Sequence, residues 1–403
     1  MKVFAINAVP YGSTGKIMFS ISDMLLEKGD KSICATGFSW HKTEKKEHFL
    51  VGNLWNKSFH MIMSRLFGNH GCYSRIATKK LIRKIEEFET DIIHLHNIHG
   101  WYLHIPTLFD FINKSKLPVV WTLHDCWSFT GGCAHFSFSK CQKWLKGCGG
   151  CNNLKEYPIA SYCDKTQKMW HMKKGCFCSL DKLTIVTPSQ WLGELVKQSY
   201  LKKYHIQVIN NGINLKSFKP TASNFREKYG ITREQHMVLG LSLGWNERKG
   251  LDVFIDLAKR LSDEYKIVLV GTDAKVDKQL PSNVISIHRT QNQKELAEIY
   301  SAADIFVQPT REENYPTVNM ESIACGTPVL TFRTGGSPEM IDEKCGSVVE
   351  CDDVEFLEKE IIRICIDKPY STEQCVLKAR EFDQNERFKE YIYLYETIIA
   401  ARD

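Results

Sequence analysis

No apolar run in these 403 residues approaches the length of a bilayer span, so no membrane-crossing helix is expected. The first nine residues, Met-Lys-Val-Phe-Ala-Ile-Asn-Ala-Val, hold one lysine and a short β-like run broken at Asn7. They lack the long apolar centre of a signal peptide and read as a first strand, which predicts a cytoplasmic protein. Compositional bias is missing too: 43% hydrophobic and 25% charged residues exclude global disorder. A phosphate-binding P-loop is also missing. In Gly12-Ser13-Thr14-Gly15-Lys16 the first glycine stands only three residues before the second, and Ile17 occupies the place of the Ser or Thr that should follow the lysine. The basic residues belong to no nucleic-acid-binding module, so no nucleic-acid partner is expected.

What is present fits two domains, since the chain is too long for one small core. The net charge of +6 is uneven: residues 1–200 hold 26 Lys+Arg against 15 Asp+Glu, a net of +11, and the rest hold 27 against 32, a net of −5. A basic first half and an acidic second half predict different partners. An anionic membrane surface, which would place the protein at the inner face of the plasma membrane, suits the basic half, as does a diphosphate-linked acceptor. Short apolar runs at 3–6, 91–96, 118–124, 183–187, 238–243, 266–270 and 305–307 alternate with helical patterns. That alternation predicts α/β architecture with parallel sheets covered on both faces.

The most informative stretch is 308–339. After a strand end at Ile305-Phe306-Val307 it reads as a polar loop, a helix opening near Pro316 and closed by Gly326, and a strand from Val329. Glu313 lies on the loop and Glu321 eight positions later on the helix. Unpaired amides at that helix start suit a phosphate or a sugar oxygen. Arg248 and Lys249, following a strand, are placed to clamp a diphosphate, because two fixed cations can neutralise a leaving group without a metal. His124-Asp125 ends a strand, where ligands bind in open α/β sheets. Singly, each has a plainer reading: solvated carboxylates, a surface pair of cations, a structural histidine.

Together they carry more. Glu313-Asn314-Tyr315-Pro316, Glu321, Gly326-Thr327-Pro328 and Gly335-Gly336-x-Pro338-Glu339 resemble the nucleotide-sugar site of retaining GT-B glycosyltransferases, family 4, group 1. Thr122-x-His124-Asp125 and Asn210-Asn211-Gly212-Ile213, with Phe218 and Pro220 beyond, resemble two further segments of that family in its bacterial polysaccharide-biosynthesis subgroup. The resemblance implies two doubly wound Rossmann-like domains facing a cleft. These would be an acceptor-side domain at 1–213, a linker at 214–235, a nucleotide-sugar-binding domain at 236–380, and a helix at 381–403 that could cross back to the first. It implies transfer of a sugar from a UDP- or GDP-linked donor to a saccharide or lipid-linked saccharide, with retention and no cofactor required for catalysis. His124 and Glu313 would be catalytic. Glu321 would hold the ribose, Arg248 and Lys249 the diphosphate, and Gly15, Asn314, Tyr315, Pro316 and Thr317 other parts of the donor. Gly12, His96 and Asn97 would line the acceptor side. One departure stands out: the family usually has an arginine directly after the glycine at 244, and here Trp245 follows. A sugar-nucleotide epimerase, a phosphorylase or a non-catalytic carbohydrate-binding protein could share the shape without the transfer.

Residues 131–178 leave the simple alternation and carry seven of the 15 cysteines. Cys148-Gly-Gly-Cys151 has the turn and spacing of a zinc knuckle, and Cys133 and Cys141 could complete a structural zinc site. The alternative is an insertion with free thiols. Within it, 165–174 sets Met169, Trp170 and Met172 among cations, either as a solvated basic face or as an interfacial helix on an anionic membrane.

Overall fold

Strands buried on both faces must be apolar along their whole length, and the runs read from the sequence form two such sheets. In this computed structural model the described residues are 1–39, 47–154 and 162–401. They fall into two units, Met1–Asn210 with Phe388–Asp403, and Asn211–Arg387.

The first unit holds β1 (Lys2–Asn7), β2 (Lys31–Thr36), β3 (His48–Leu50), β4 (Ile92–Leu95), β5 (Val119–Thr122), β6 (Leu183–Thr187) and β7 (His205–Val208). Their order across the sheet is β3-β2-β1-β4-β5-β6-β7, and all pairings are parallel. Phe4, Ile6, Leu95 and Trp121 anchor one face. Val3, Ile92, Val120 and Val186 pack on the other against Phe388, Tyr391 and Tyr395 of the helix Gln384–Ala400. A large apolar side chain buried this completely contributes about 2 kcal/mol.

The second unit repeats the plan with β8 (His236–Leu241), β9 (Tyr265–Val270), β10 (Val284–Ile287), β11 (Ile305–Gln308), β12 (Val329–Phe332) and β13 (Gly346–Val349). The order is β10-β9-β8-β11-β12-β13, again all parallel. In each sheet the strand order reverses once, between β1 and β4 and between β8 and β11. Ligands bind beyond the carboxyl ends of the strands at such a point. Residues 214–235, expected as a linker, contribute Phe218, Phe225 and Ile231 to the core of this unit.

One expectation is corrected here. The helix Thr166–Phe177 buries Met169, Trp170, Lys173 and Phe177, and the Trp170 indole N–H donates to the Trp144 carbonyl at 2.8 Å. Its apolar residues build the core beneath the insertion, which leaves none of that stripe to enter a membrane. Among the described residues no helix is long and apolar enough to cross one.

Candidate functional site

The second unit gathers its charged residues at the carboxyl ends of β8 and β11. After β8 the chain makes a short helical turn, Glu247–Lys249, capped by the Asn246 side chain accepting from the Lys249 amide at 3.0 Å. Gly250 then turns left-handed at φ +77, and a Cβ there would lie 2.4 Å from the Pro309 carbonyl. Only glycine lets this turn lie against the loop after β11. Arg311 fastens the two loops. Its amide donates to the Arg248 carbonyl at 2.9 Å. Its guanidinium grips Asp252 at 2.8 and 2.7 Å and Asp352 at 2.6 Å, and it also reaches the Glu247 carbonyl. The bidentate contact with Asp252 raises the Arg311 pKa above its ordinary value.

So held, Lys249 Nζ donates to Glu313 Oε2 at 2.6 Å, with both side chains about one-fifth exposed. Glu313 Oε1 accepts from the Asn314 amide at 3.2 Å. Behind the loop, the Gly336 amide donates to the Asn314 carbonyl at 2.7 Å. A Cβ on Gly335, at φ +55, would fall 1.7 Å from the Glu313 carbonyl oxygen. The Gly335-Gly336 pair therefore sets where Glu313 lies.

Glu321 sits apart from that pair, on the helix Thr317–Ala324 capped by Pro316. The Tyr300 hydroxyl donates to Glu321 Oε2 at 3.2 Å. Burial, with Glu321 beside it, keeps the Tyr300 phenol well above its ordinary pKa. Tyr315 is itself a core residue, with its carbonyl held by Asn211 Nδ2 at 3.2 Å. Any ligand contact from position 315 therefore falls to the backbone. Trp245 is buried as well: its indole N–H donates to the Val270 carbonyl at 3.0 Å and its ring packs edge-on against Phe254. Its side chain supports the β8 loop from behind, and the cations of the turn are Arg248 and Lys249.

The first unit gathers histidines instead. Asn7, at the end of β1, donates to the Val9 carbonyl at 2.9 Å and to Thr14 Oγ1 at 3.2 Å, and accepts from the Asn97 amide at 3.2 Å. It thus ties the Gly12–Gly15 turn to the end of β4. Gly15 is required there, since a Cβ would meet the Pro10 backbone at 2.4 Å. His96 Nδ1 and His124 Nε2 share a hydrogen bond of 3.0 Å, with the rings stacked. His94, one layer below, bonds Thr122 Oγ1 at 2.9 Å and the Tyr395 hydroxyl at 2.6 Å. His99 bonds Asp125 at 2.9 Å, and Asp125 also accepts from the Trp127 amide at 2.8 Å. Burial lowers the pKa of His94 to about 3 and that of His124 to about 4, and holds His96 well below its ordinary value. The three rings are therefore neutral at pH 7, and His96 Nε2 is buried without a partner.

Cys133, Cys141, Cys148 and Cys151 line one cavity in the insertion. Cys148 takes a left-handed turn at φ +55 with Gly149 and Gly150, and two sulfurs accept backbone hydrogens, Cys148 from Gly131 at 3.1 Å and Cys151 from Asn153 at 3.4 Å. Burial raises the Cys133 thiol to about 12 and that of Cys148 to about 11. Among the described residues no group of three or more His, Cys, Asp or Glu converges closely enough to hold a metal ion, so these thiols ring the cavity without meeting at a point.

Two family models match the chain. "Glycosyl transferases group 1" matches residues 224–385, which include Arg248, Lys249, Glu313 and Glu321. "Glycosyltransferase Family 4" matches residues 55–217, which include His96, Asn97 and His124. The chain belongs to the group 1, family 4 glycosyltransferases. Gly12 and Gly15 lie outside both matches. Among similar proteins of this family, WcaC of Escherichia coli K12, named for colanic acid biosynthesis as a glycosyl transferase, is 24% identical over 326 residues, 76% of each chain. The fold is GT-B. Sucrose-phosphate synthase of Thermosynechococcus elongatus superposes with a TM-score of 0.71 at 16% identity over 99% of each chain. HepE of Anabaena in complex with UDP-glucose gives 0.67 at 14% identity, over 98% of this chain and 100% of that one.

Sequence reasoning did not single out Arg311 or Asn7. Both are polar residues beside glycine-rich loops, and a charged residue before a Glu-Glu pair gives no sign that it is the loop's anchor.

Proposed function

We propose that this glycosyltransferase takes its sugar from a UDP- or GDP-linked donor and transfers it, with retention, to a saccharide or lipid-linked saccharide in surface polysaccharide biosynthesis. The observation that carries this reading is the Lys249–Glu313 pair at the strand-order reversal of the second sheet. A nucleotide sugar needs fixed cations for its diphosphate and acceptors for its hydroxyls, and this point offers both on adjacent loops. HepE, similar in fold, was solved with UDP-glucose, and the name of WcaC supplies the polysaccharide context.

In this reading Arg248 and Lys249 neutralise the diphosphate as the bond to the sugar breaks. Glu313, aimed by its bond to Lys249, accepts from sugar hydroxyls, with the Asn314 backbone beside it. Glu321, positioned by Tyr300, accepts from the ribose, and the amides of Thr317 and Val318 at the start of its helix face the donor oxygens. No side chain is assigned as the base. The leaving phosphate takes the acceptor proton on the same face of the sugar, so the new bond keeps the anomeric configuration. His124, neutral and oriented by His96, serves the acceptor side of the first unit with Asn97 and the Gly12–Gly15 backbone.

A nucleotide-sugar panel tests the donor by thermal shift, and turnover with the donor that binds tests the transfer. Nucleotide release with acceptor product of the same anomeric configuration supports the reading. Release without any acceptor product, or no donor binding, overturns it. A structural zinc on Cys133, Cys141, Cys148 and Cys151 rests on their shared cavity and would require the metal to draw the thiols inward. One equivalent of zinc in untagged protein supports that site, and none removes it.

A further inference from the structure

Two tyrosines of the helix Gln384–Ala400 reach the first sheet where its row of histidines begins. Ile92, His94 and His96 alternate onto one face of the sheet, and Val120, Thr122 and His124 do the same on the neighbouring strand. That face starts apolar, with Ile92 and Val120 in one cluster with Phe388, Tyr391 and Tyr395. One step further it carries His94 and Thr122, both fully buried, at positions where aliphatic side chains would have packed. A buried polar group costs stability unless it is paired. Here the helix supplies the partners, since Tyr391 and Tyr395 stand four apart on one helical face.

The bonds assign each proton. Thr122 donates its hydroxyl hydrogen to the Tyr391 hydroxyl at 3.2 Å, so its Oγ1 accepts from His94 Nε2, 2.9 Å away. Burial keeps the His94 ring neutral. With its single proton on Nε2, His94 Nδ1 is bare and accepts from the Tyr395 hydroxyl at 2.6 Å. His94 is thereby held at both nitrogens, in one tautomer and one orientation. His96 is held at one only. Its Nδ1 meets His124 Nε2 at 3.0 Å, while its Nε2 is buried without a partner. The His96 ring lies instead against that of His94, the two centroids 4.0 Å apart. The anchored member of the row is therefore the histidine at the helix, and the other two take their places from it. A polar network satisfied in this way rigidifies what it touches.

We propose that Tyr395 is a positioning residue for the acceptor-side histidine: acting through His94 and then His96, its hydroxyl sets the orientation of the His124 ring. The consequence for turnover rests on the acceptor-side role proposed for His124. The coupling of the rings does not, and it is read separately.

Tyr395→Phe removes one hydroxyl and keeps the ring that packs on the sheet. Nitrogen–proton correlation spectra of the full chain, labelled at histidine, read the rings. The parent should show His94 protonated on Nε2, and in Tyr395→Phe the ring signals of His96 and His124 should move together with those of His94. Turnover should fall at least about fivefold with donor KM unchanged, the worth of one hydrogen bond passed on to the orientation of His124. Ile392→Val, in the same helix and the same apolar cluster, is the control for packing: it should lower the thermal melt and leave turnover and the ring signals as they are. Combined with His124→Ala, Tyr395→Phe should cost no further turnover, because the two act through one group. His124 signals that stay in place in Tyr395→Phe overturn the proposal, as does an Ile392→Val variant that loses as much turnover. A His124→Ala variant with parental turnover would remove the acceptor-side role, and the ring signals would still decide whether Tyr395 positions His124.

Discussion

The two units share one strand order and use it for opposite chemistry. In the second, charges are exposed in part and paired: Lys249 with Glu313, Arg311 with Asp252 and Asp352. In the first, the titratable groups at the matching strand ends are mostly histidines, three of them buried until they are neutral, with Asp125 held by His99. All of the 14 histidines except His236 and His288 precede residue 211. A parallel sheet dictates where a site lies, and the loop residues decide whether it offers fixed charge or neutral hydrogen-bonding groups. The contrast can be broken from either side.

The largest effect is expected from Gly335→Ala. The new Cβ has nowhere to go against the Glu313 carbonyl, so the variant should lose about 3 kcal/mol or more of stability in the second unit and most activity, read by chemical denaturation and turnover. Next come Lys249→Ala and Glu313→Gln. Each should lower turnover by about ten- to a hundredfold, the worth of one charge-assisted contact. The double variant should cost less than the product of the two, because the residues share one interaction. Near-parental rates in both single variants would remove the pair from the site.

Acid should then separate the units. The buried histidines have folded pKa values below their unfolded value of about 6.5. The unfolded chain therefore binds more protons, and stability falls as pH drops from about 6.5 towards 4, by up to about 1.4 kcal/mol per pH unit for each such histidine. Hydrogen exchange at pH 7.5 and pH 5 should show the first unit loosening while the second changes little. Equal loosening would contradict the assignment of the acid-sensitive groups. The smallest effect is expected from Arg311→Lys, which keeps the charge but loses the two-pronged grip on a half-exposed Asp252. About 1 kcal/mol is expected in the melt, together with a weaker apparent donor affinity in titration calorimetry.

Much of this was legible in the sequence because its signals are local. The strand Leu183–Thr187 falls where the apolar run places it, and Pro316 and Gly326 bracket the Glu321 helix as read. The less legible features depend on distant partners. Nothing near Trp170 says that its indole will meet Trp144, so a basic aromatic run looked like a surface helix. Conversely, the helix Leu54–Phe67 has the spacing of an ordinary core-facing helix, and only His60 meeting Ser74 and Gly71 turns its apolar side outward. The nearness of Lys249 to Glu313 follows from β8 lying beside β11, a property of strand order and not of spacing along the chain.

Trp245 has a consequence for the paths open to mutation. Where the family usually carries an arginine, this chain has an indole wedged on Phe254 and tied to Val270. Restoring the arginine alone would either leave a guanidinium in an apolar pocket or leave a hole where the ring was, and both are destabilising. The substitution works as a ratchet: a return to the common residue needs a compensating change at Phe254 first. Homologues carrying Trp at this position should therefore keep a large apolar residue at the Phe254 position.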